Sequence, residues 1–339
     1  MHPIAIITNS LSGGGAEQSA QIIHAELRKA GLDISWIGIN AENPLGVPED
    51  SHVFCLNRTK QQKIFETLTV FLRFVRLIKS RSITTLIINC ELPELFAAFT
   101  PLPLRLFVVE HANPSWCKRD LLGLLVRKIL KFRRARFIQV SPHLKPRFIS
   151  STASVTIPNP ILDNSVGEYR NPGTSIQRLA YVGRLSAEFK NPEYLLLIAQ
   201  KVNLEVIFIG DGVLRHSLEN MAKSLGISVT FVGFQKKPWS FLSRGDLLII
   251  PSSAEGDGLV LVEAVQRGIP FLATQIPDLN RYGISSENYC NDIDDFVSRI
   301  RKYQESIGLL VVSSQLSMKI LEERSIERIA KSWIQVLKD

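Results

Sequence analysis

Long apolar runs are missing from this chain of 339 residues. A membrane-spanning helix needs roughly 18–20 consecutive apolar residues, and no stretch of the sequence approaches that length. The opening residues, MHPIAIITNS, contain neither a positively charged region nor a cleavage-site pattern, so they do not look like a signal peptide. We therefore expect a cytoplasmic protein without a membrane span.

Cysteine is scarce, and its placement argues against two kinds of site. The four cysteines are scattered along the chain and form no C-x-x-C pair: Cys55, Cys90, Cys117 and Cys290. We expect neither a disulfide framework nor a cysteine-based zinc site, and a reducing compartment suits such a chain.

Negative charge is sparse in the first half only. Residues 1–165 hold 20 Lys and Arg against 12 Asp and Glu, whereas residues 166–339 hold 20 of each, so the whole net charge of +8 lies in the first half. Such asymmetry predicts an anionic partner for one half of the protein, either a membrane or a nucleic acid. The basic stretches lack the interleaved aromatic residues of a nucleic-acid binder, so we expect no nucleic-acid partner.

The chain is rich in apolar strands that alternate with helices. The first half predicts strands at 4–9, 34–40, 84–89, 105–110 and 136–141, with a helix at 16–31. After the polar stretch 159–177, the pattern predicts strands at 178–183, 204–210, 228–233, 247–252 and 269–274, with helices at 192–202 and 213–226. This predicts an α/β fold of two Rossmann-like, doubly wound domains facing a cleft, at 1–163 and 164–322.

Two loops that follow strands have the composition of anion-binding sites. In 182-VGRLSAEFKN-191, Arg184 and Lys190 lie between a strand end and a helix that we expect to open at Pro192. In 12-SGGGAEQ-18, glycines let backbone N–H groups approach an anion, but the loop lacks both the G-x-G-x-x-G fingerprint and a P-loop ending. Taken alone, both loops are equally compatible with solvated turns.

The stretch 252-SSAEGDGLVLVEAV-265 places two carboxylates around a glycine-rich helix start. Glu255 lies in the loop after a strand, and Glu263 lies among apolar neighbours in a helix expected at 259–267. A carboxylate in such a setting is costly unless it is paired or bound to a ligand. The pattern therefore indicates a ligand site at the carboxyl edge of the second sheet.

This stretch, in the form S-x-x-E-G-x-G-x-x-x-x-E-A with an E-x7-E core, resembles the signature of the retaining GT-B glycosyltransferases of family four, the glycosyl transferases group 1. Other stretches that look like the family's motifs are 13-GGGAE-17, 181-YVGRLSAEFKN-191, 205-EVIFIGDG-212 and 245-GDLLIIPS-252. The resemblance covers nearly the whole chain and is of the bacterial surface-polysaccharide type. It implies a GT-B fold in which the C-terminal segment, 323–339, packs back on the first domain.

The resemblance also implies roles for individual residues. Glu255 would bond hydroxyls of the donor sugar, Glu263 would hold the ribose diol, Arg184 and Lys190 would bind the diphosphate, and His111 would lie near the donor sugar. The implied catalytic set is therefore His111, Arg184, Lys190 and Glu255. The implied donor-binding set is Gly14, Gly15, Gly210, Gly212, Gly258, Leu259, Val260 and Glu263. The resemblance implies no cofactor and no divalent metal.

Asp257 departs from the family pattern, which often has an apolar residue between the two glycines. An acid near a diphosphate is unfavourable unless it points away, or reads a donor hydroxyl or a cationic group. We expect Asp257 to face the donor sugar. Candidates for contact with the acceptor are Glu17, Glu110 and Asn113.

The segment 116–136 carries eight Lys and Arg and one Asp, and 58–81 has a similar composition. On a helical wheel Arg127, Lys131 and Arg134 share one face, and the opposite face holds the apolar residues Leu122, Leu125, Val126, Ile129 and Phe132. Basic amphipathic helices often lie on anionic membranes, although a packed helix with a solvated face has the same pattern. We expect 116–136, and less strongly 58–81, to contact an anionic membrane surface.

Together these features predict a retaining glycosyltransferase, a hexosyl- or N-acetylhexosaminyltransferase. We expect it to use a nucleotide-sugar, most often a UDP-sugar in this family, and a lipid-linked or oligosaccharide acceptor in cell-surface polysaccharide synthesis. It would be attached peripherally to the inner face of the cell membrane. The alternatives are a GT-B sugar-nucleotide epimerase and a non-catalytic GT-B scaffold that binds glycan or membrane.

Overall fold

The computed structural model describes residues 2–41, 50–59, 64–111, 116, 119–144, 147–148, 155–161 and 173–339. The chain forms two compact units, one made of Met1–Leu162 with Arg324–Asp339 and the other of Asp163–Glu323. The sequence places the corresponding boundaries at 163 and 323. The C-terminal end of the chain therefore folds with the N-terminal half.

The first unit is built on a parallel sheet of seven strands. They are β1 (Ile4–Thr8), β2 (Ile34–Asn40), β3 (Val53–Arg58), β4 (Thr85–Asn89), β5 (Arg105–Glu110), β6 (Arg136–Gln139) and β7 (Val155–Thr156). Their order in the sheet is β3-β2-β1-β4-β5-β6-β7. Every residue of β1 and β4 is buried, as expected for strands covered on both faces. The strand order reverses between β1 and β4, where doubly wound sheets bind ligands.

Helices cover both faces of this sheet. They are α1 (Gly15–Lys29), α2 (Ile64–Ser80), α3 (Glu91–Phe99), α4 (Asp120–Phe132) and, from the end of the chain, α11 (Ile326–Lys338). Side chains of α2, α3 and α4 share one core cluster, in which Phe74 and Phe96 are fully buried. Side chains of α1 and α11 share the cluster on the opposite face, which includes Leu27 and Trp333. The sequence therefore buries two separate apolar layers against one sheet.

The second unit repeats the architecture with six parallel strands. They are β8 (Arg178–Val182), β9 (Glu205–Ile209), β10 (Val229–Gly233), β11 (Asp246–Ile250), β12 (Phe271–Thr274) and β13 (Tyr289–Cys290), in the order β10-β9-β8-β11-β12-β13. Its helices are α5 (Glu193–Val202), α6 (Arg215–Leu225), α7 (Leu259–Arg267), α8 (Pro277–Asn280), α9 (Ile293–Lys302) and α10 (Ser314–Glu323). Side chains of α5, α6 and α9 share one core cluster against the sheet.

All ten strands expected from the sequence are present, with ends within two residues of the expected ones. The first helix ends with Gly31 in the left-handed region at φ +83°, as its glycine predicts. Helix α5 begins one residue later than expected, with Pro192 as its N-cap. The sequence did not predict β3, because Leu56 is the only buried residue of this edge strand. None of the helices described for the chain is both long and apolar enough to cross a membrane.

Candidate functional site

The carboxyl edge of the second sheet holds the loops that follow β8, β9 and β11. Gly210 comes directly after β9 at φ +151°, and a Cβ there would lie 1.8 Å from the carbonyl oxygen of Gly183. A Cβ on Gly212 would lie 2.2 Å from the carbonyl oxygen of Leu185. Both glycines are thus needed for close packing of two neighbouring loops. Their contact with a nucleotide stays a prediction.

Lys190 and Glu255 come together at this edge from two different loops. Nζ of Lys190 lies 2.6 Å from Oε1 of Glu255, and the hydroxyl of Ser252 donates to the same oxygen at 2.6 Å. The Lys190 side chain is 30% exposed and that of Glu255 is 10% exposed. A partly exposed ion pair is only weakly held, so either group can exchange its partner for a ligand. Arg184, the other predicted clamp residue, is exposed directly after β8.

Two further hydrogen bonds join the loop of Lys190 to the loop of Glu255. The side-chain amide of Asn191 donates to the carbonyl oxygen of Pro251 at 3.0 Å, and the N–H of Ser253 donates to that of Phe189 at 2.8 Å. Asn191 adopts φ 42°, a left-handed conformation that asparagine tolerates better than most residues. The asparagine therefore contributes a bond between the loops that a glycine at this position could not.

Glu263 accepts a hydrogen bond from an indole. It lies on α7, and Nε1 of Trp239 donates to its Oε2 at 2.8 Å. Arg267 packs over the Trp239 ring, 5.3 Å from its centroid, and donates to the carbonyl oxygen of Glu263 at 3.1 Å. The N-cap of α7 is Gly258 at φ 65°, and Leu259 and Val260 follow, half-buried. A carboxylate can accept several hydrogen bonds, so Glu263 also suits the hydroxyl groups of a ligand.

Asp257, the departure from the family pattern, meets a cationic group of its own chain. Its side chain is 4% exposed and forms an ion pair with Arg281. Arg281 also donates to the carbonyl oxygen of Asp257 at 3.1 Å, as does the Tyr282 hydroxyl at 2.8 Å. Asp257 is therefore anchored inside the second unit by the segment after α8, because a buried carboxylate needs a charged partner. Its expected contact with a donor sugar stays a prediction.

The carboxyl edge of the first sheet carries His111, which follows β5. Its Nε2 lies 2.6 Å from Oδ1 of Asn89, the last residue of β4. Glu17 accepts from the backbone N–H of Gly14, the N-cap of α1, at 3.1 Å. Glu17 therefore caps the helix that begins at Gly15. This role explains its position without any contact to an acceptor substrate. Asn113 lies outside the described residues.

The structure corrects the expectation that Glu110 contacts the acceptor substrate, because its side chain is buried. Arg127 lies 2.8 Å from Glu110 and 2.8 Å from Glu94, and all three side chains are at most 3% exposed. Nε1 of Trp116 donates to Glu94 at 3.0 Å. Burial raises the pKa of Glu94 despite the Arg127 charge. Burial alone would lower the pKa of Arg127, but the charges of Glu94 and Glu110 outweigh it and raise that pKa.

The structure corrects the expectation for Arg127 of the basic helix, which is buried rather than on an exposed cationic face. Arg127 faces the core of the first unit, whereas Leu125 and Phe132 are 50% and 88% exposed. Lys131 and Arg134 are exposed, as expected. The wheel grouped Arg127 with Lys131 and Arg134, but the buried carboxylates of α3 and β5 draw its guanidinium inward. Residues 117–118 and 60–63 of the two basic segments lie outside the described residues.

Three functional partners were missed by sequence reasoning: Trp239, Arg281 and Glu94. Trp239 lies 24 residues before Glu263, and Arg281 lies 24 residues after Asp257. No local pattern links such pairs. The available signal was indirect, because each buried carboxylate in an apolar setting implies a donor somewhere else in the chain.

Within the described part of the chain, no group of three or more His, Cys, Asp and Glu is placed to hold a metal ion. A D-x-D triplet does occur at Asp292 and Asp294, where α9 begins. Asp292 is the N-cap and accepts from the N–H of Asp295, and Asp294 pairs with Lys201. This triplet therefore serves the helix start. The absence of a metal from the reaction stays a prediction.

The chain is similar to known sugar-transferring enzymes. Residues 173–306 match the family model described as glycosyl transferases group 1. Over 359 aligned positions that cover 98% of both chains, it is 25% identical to an uncharacterized glycosyltransferase of Haemophilus influenzae. Over 280 positions, covering 78% of this chain and 77% of the relative, it is 25% identical to a Campylobacter jejuni enzyme. That relative is named GalNAc-alpha-(1->4)-GalNAc-alpha-(1->3)-diNAcBac-PP-undecaprenol alpha-1,4-N-acetyl-D-galactosaminyltransferase.

The fold is also that of solved glycosyltransferases. Anabaena HepE, in a structure with UDP and glucose, superposes with a TM-score of 0.79 over 100% of both chains at 16% identity. Sucrose-phosphate synthase from Thermosynechococcus elongatus also gives a TM-score of 0.79, at 19% identity, covering 100% of this chain and 98% of that one. The two Rossmann-like units therefore have the GT-B fold, and residues 173–306 are similar to the glycosyl transferases group 1.

Proposed function

We propose that the protein transfers a sugar from a UDP-sugar to a lipid-linked acceptor, with retention of the anomeric configuration. The observation that carries the proposal is the arrangement of Lys190, Ser252 and Glu255 at the carboxyl edge of the second sheet. Directly after this loop, the N-terminus of α7 presents backbone N–H groups, and Glu263 lies on the same helix. A cation, a helix start and two carboxylates suit the parts of a nucleotide-sugar.

In the proposed reaction the second unit binds the donor. Arg184, Lys190 and the first N–H groups of α7 hold the diphosphate, and Glu263 accepts hydrogen bonds from the ribose hydroxyls. Lys190 exchanges Glu255 for a phosphate oxygen, which leaves Glu255 free to accept hydrogen bonds from the donor sugar. This exchange suits a lysine whose side chain is 30% exposed. Gly210 and Gly212 keep the neighbouring loops close to the nucleotide.

The bond between the anomeric carbon and the phosphate oxygen breaks, and its electron pair goes to the diphosphate. The acceptor hydroxyl attacks the same face of the sugar, its oxygen forms the new glycosidic bond, and its proton goes to the departing phosphate oxygen. Double displacement would need a protein nucleophile on the opposite face. Since the charge that develops is on the diphosphate, Arg184 and Lys190 contribute most by stabilising it.

Relatives support the identity of both substrates. The HepE structures carry UDP, UDP with glucose, or UDP-glucose, and HepE shares this fold. The Campylobacter jejuni relative is named for an acceptor that is an oligosaccharide on undecaprenyl diphosphate. We extend these chemistries to this chain: a uridine nucleotide for the donor, and a glycan on a diphosphate lipid in cell-surface polysaccharide synthesis for the acceptor.

The experiment that tests the proposal is a transfer assay with the full chain, UDP-, GDP- and ADP-sugars, and a membrane lipid extract. We expect release of UDP that depends on the extract, and an NMR coupling constant in the product that reports the same anomeric configuration as the donor. A product of inverted configuration would overturn retention. Conversion of the donor to its epimer without an acceptor would identify an epimerase, and binding of UDP-sugars without any turnover would identify a non-catalytic scaffold.

A further inference from the structure

The exposed apolar side chains of the first unit are confined to one layer of helices. Seven large apolar side chains of its described residues are exposed, and all seven lie on α2, α3 and α4: Phe65, Leu68, Leu72, Phe99, Leu121, Leu125 and Phe132. In the described residues of α1 and α11, on the other face of the sheet, no large apolar side chain is exposed. Such segregation is unusual, because isolated surface apolar residues are normally scattered.

These three helices form one continuous layer. The rings of Phe71 on α2 and Phe96 on α3 lie 5.5 Å apart and meet edge to face. Arg133, which follows α4, donates to the carbonyl oxygens of Ala97 at 2.5 Å and of Thr100 at 2.8 Å at the end of α3. The outward side chains of α2 and α4 therefore belong to one surface, with α3 between them.

The apolar side chains follow helical spacing. Phe65, Leu68 and Leu72 recur at intervals of three and four residues on α2, and Leu121 and Leu125 are four apart on α4. Residues three and four apart share a helix face, so each helix presents an apolar stripe to the outside. We call the surface formed by α2, α3 and α4 the outer layer.

The charge of the outer layer is positive. The exposed cations on α2 and α4 and at the ends of α4 are Arg73, Arg76, Lys79, Arg119, Lys128, Lys131 and Arg134. The acids are already engaged: Glu66 accepts from the backbone N–H and hydroxyl of Thr59, and Asp120 forms two hydrogen bonds with Arg147. Apolar stripes flanked by cations match a surface that is apolar inside and anionic at its boundary.

We propose that the outer layer docks on the surface of an anionic phospholipid membrane, with Phe65 and Phe132 inserted among the lipids. This inference rests on the proposed function, because a lipid-linked acceptor is presented at such a surface. In a βαβ unit the helices run opposite to the strands, so α2 and α4 begin at the carboxyl edge of the sheet. Phe65 and Leu121 therefore lie toward the same edge as His111, where we expect the acceptor.

The proposal differs from simple attraction of a basic helix, because apolar insertion does not fade with salt. The Debye length falls from about 10 Å at 0.1 M salt to about 3 Å at 1 M, which weakens the attraction of the cations. Insertion of Phe65 and Phe132, which are 85% and 88% exposed, continues at high salt. We expect binding to decrease with salt without being abolished.

The first test is co-sedimentation with phosphatidylcholine vesicles that contain about one third phosphatidylglycerol, a source of the anionic surface potential. The variant Phe65→Ser/Phe132→Ser should lose roughly tenfold or more in vesicle affinity, because two large apolar groups no longer leave water. The matched control is Leu309→Ser/Met318→Ser, whose side chains are 70% and 62% exposed in the second unit. The control should bind as wild type does.

The second test reports depth in the membrane. Three native tryptophans, Trp36, Trp116 and Trp333, are at most 2% exposed, so a tryptophan placed on the surface gives a distinct signal. The emission of Phe132→Trp should shift to shorter wavelength with anionic vesicles and be quenched by lipids brominated on their acyl chains. Emission of Leu309→Trp should change in neither way.

Two results would overturn the proposal. One is equal vesicle binding by wild type and Phe65→Ser/Phe132→Ser, and the other is no wild-type binding to anionic vesicles. If wild type instead forms a dimer that Phe65→Ser/Phe132→Ser dissociates in analytical ultracentrifugation, the occupant of the outer layer is a second copy of the chain. Vesicle binding without turnover of a UDP-sugar would contradict the proposed function alone, since the variants leave the donor residues intact.

Discussion

The two units share a strand order, but each uses a pair of glutamates in its βα segments in a different way. Six strands of the first sheet, β3-β2-β1-β4-β5-β6, correspond in order to β10-β9-β8-β11-β12-β13 of the second. In the first unit, Glu94 and Glu110 are buried against one guanidinium, that of Arg127. Such carboxylates hold elements together and are closed to ligands, because exposing either one would leave a buried charge without its partner.

In the second unit, the two glutamates of the candidate site are only partly buried. Glu255 contacts Lys190 and Ser252, and Glu263 accepts from Trp239. The difference teaches that one fold uses a glutamate after a strand in two ways. Full burial with a charge network gives structure, and partial exposure with an exchangeable partner such as Lys190 gives a candidate site.

The largest effect that would sharpen this comparison is expected at Arg127. Arg127→Ala leaves two glutamates buried without their cation, so we expect the free energy of unfolding to fall by about 3–5 kcal/mol. Urea denaturation followed by tryptophan emission measures this change, since Trp116 donates to Glu94. The control is Arg147→Ala, which breaks the more exposed pair with Asp120 and should cost about 0–1 kcal/mol. Equal losses in both variants would show that burial does not distinguish the two pairs.

The next effect concerns Lys190 in the second unit. Lys190→Ala should lower kcat about 100- to 1000-fold, because it removes one group that stabilises the charge of the departing diphosphate. The free energy of unfolding should change by no more than about 1 kcal/mol, since the pair with Glu255 is partly exposed. Lys201→Ala, which breaks the exposed pair with Asp294, is the control for loss of a lysine. An unaltered kcat for Lys190→Ala would remove the lysine from the reaction.

A smaller effect is expected at Asp257, the residue that the second unit buries as the first unit buries Glu94. Asp257→Ala leaves the Arg281 guanidinium short of an acceptor and should lower stability by about 1–3 kcal/mol. The exchange Asp257→Arg/Arg281→Asp should recover part of that loss if the pair acts as a unit. Measurement of UDP affinity alongside stability separates anchoring of the loop from donor recognition. A change of donor preference without loss of stability would restore the sequence-based expectation.

The smallest expected effect is a difference between the two units in the pH range over which each loses stability. Burial lowers the pKa of His24 in the first unit below 6.5. The unfolded state therefore binds the proton more readily, and stability falls as the pH drops below 6.5. In the second unit, hydrogen bonds from Lys302 and Tyr303, followed by the Arg299 charge, lower the pKa of Glu287 from 4.5 to about 2. The stability that ionised Glu287 contributes to the folded state is fully present above pH 4.5 and is lost as the pH falls toward 2.

Hydrogen exchange of peptides from each unit, measured across these pH values, checks the order of events. Peptides of the first unit should lose protection first on acidification, and His24→Gln should remove that step. Glu287→Gln should remove only the loss of protection in the second unit that occurs below pH 4.5. Simultaneous loss of protection in both units with either variant would contradict the assignment.

Much of the fold could be predicted because its signals are local. Strands such as β1 and β5 read as short apolar runs, and α7 is bounded by Gly258 and Gly268 at both ends. The edge strand β3 was not predicted, because little of it is buried and its sequence therefore has only a weak apolar pattern. Similarly, Glu255 and Glu263 are recognisable because their spacing along one loop and helix is itself a local feature.

By itself the sequence determined which segments form strands and helices, which loops follow strands, and which residues lie at the carboxyl edges. The tertiary structure alone decided the partners of the charged residues. Arg127 meets Glu94, 33 residues away, and Arg281 meets Asp257, 24 residues away. The physical reason is that a helical pattern distinguishes apolar from polar positions, but not which of several cations on a helix faces a buried carboxylate. That choice depends on strand order and helix packing, which bring distant residues together.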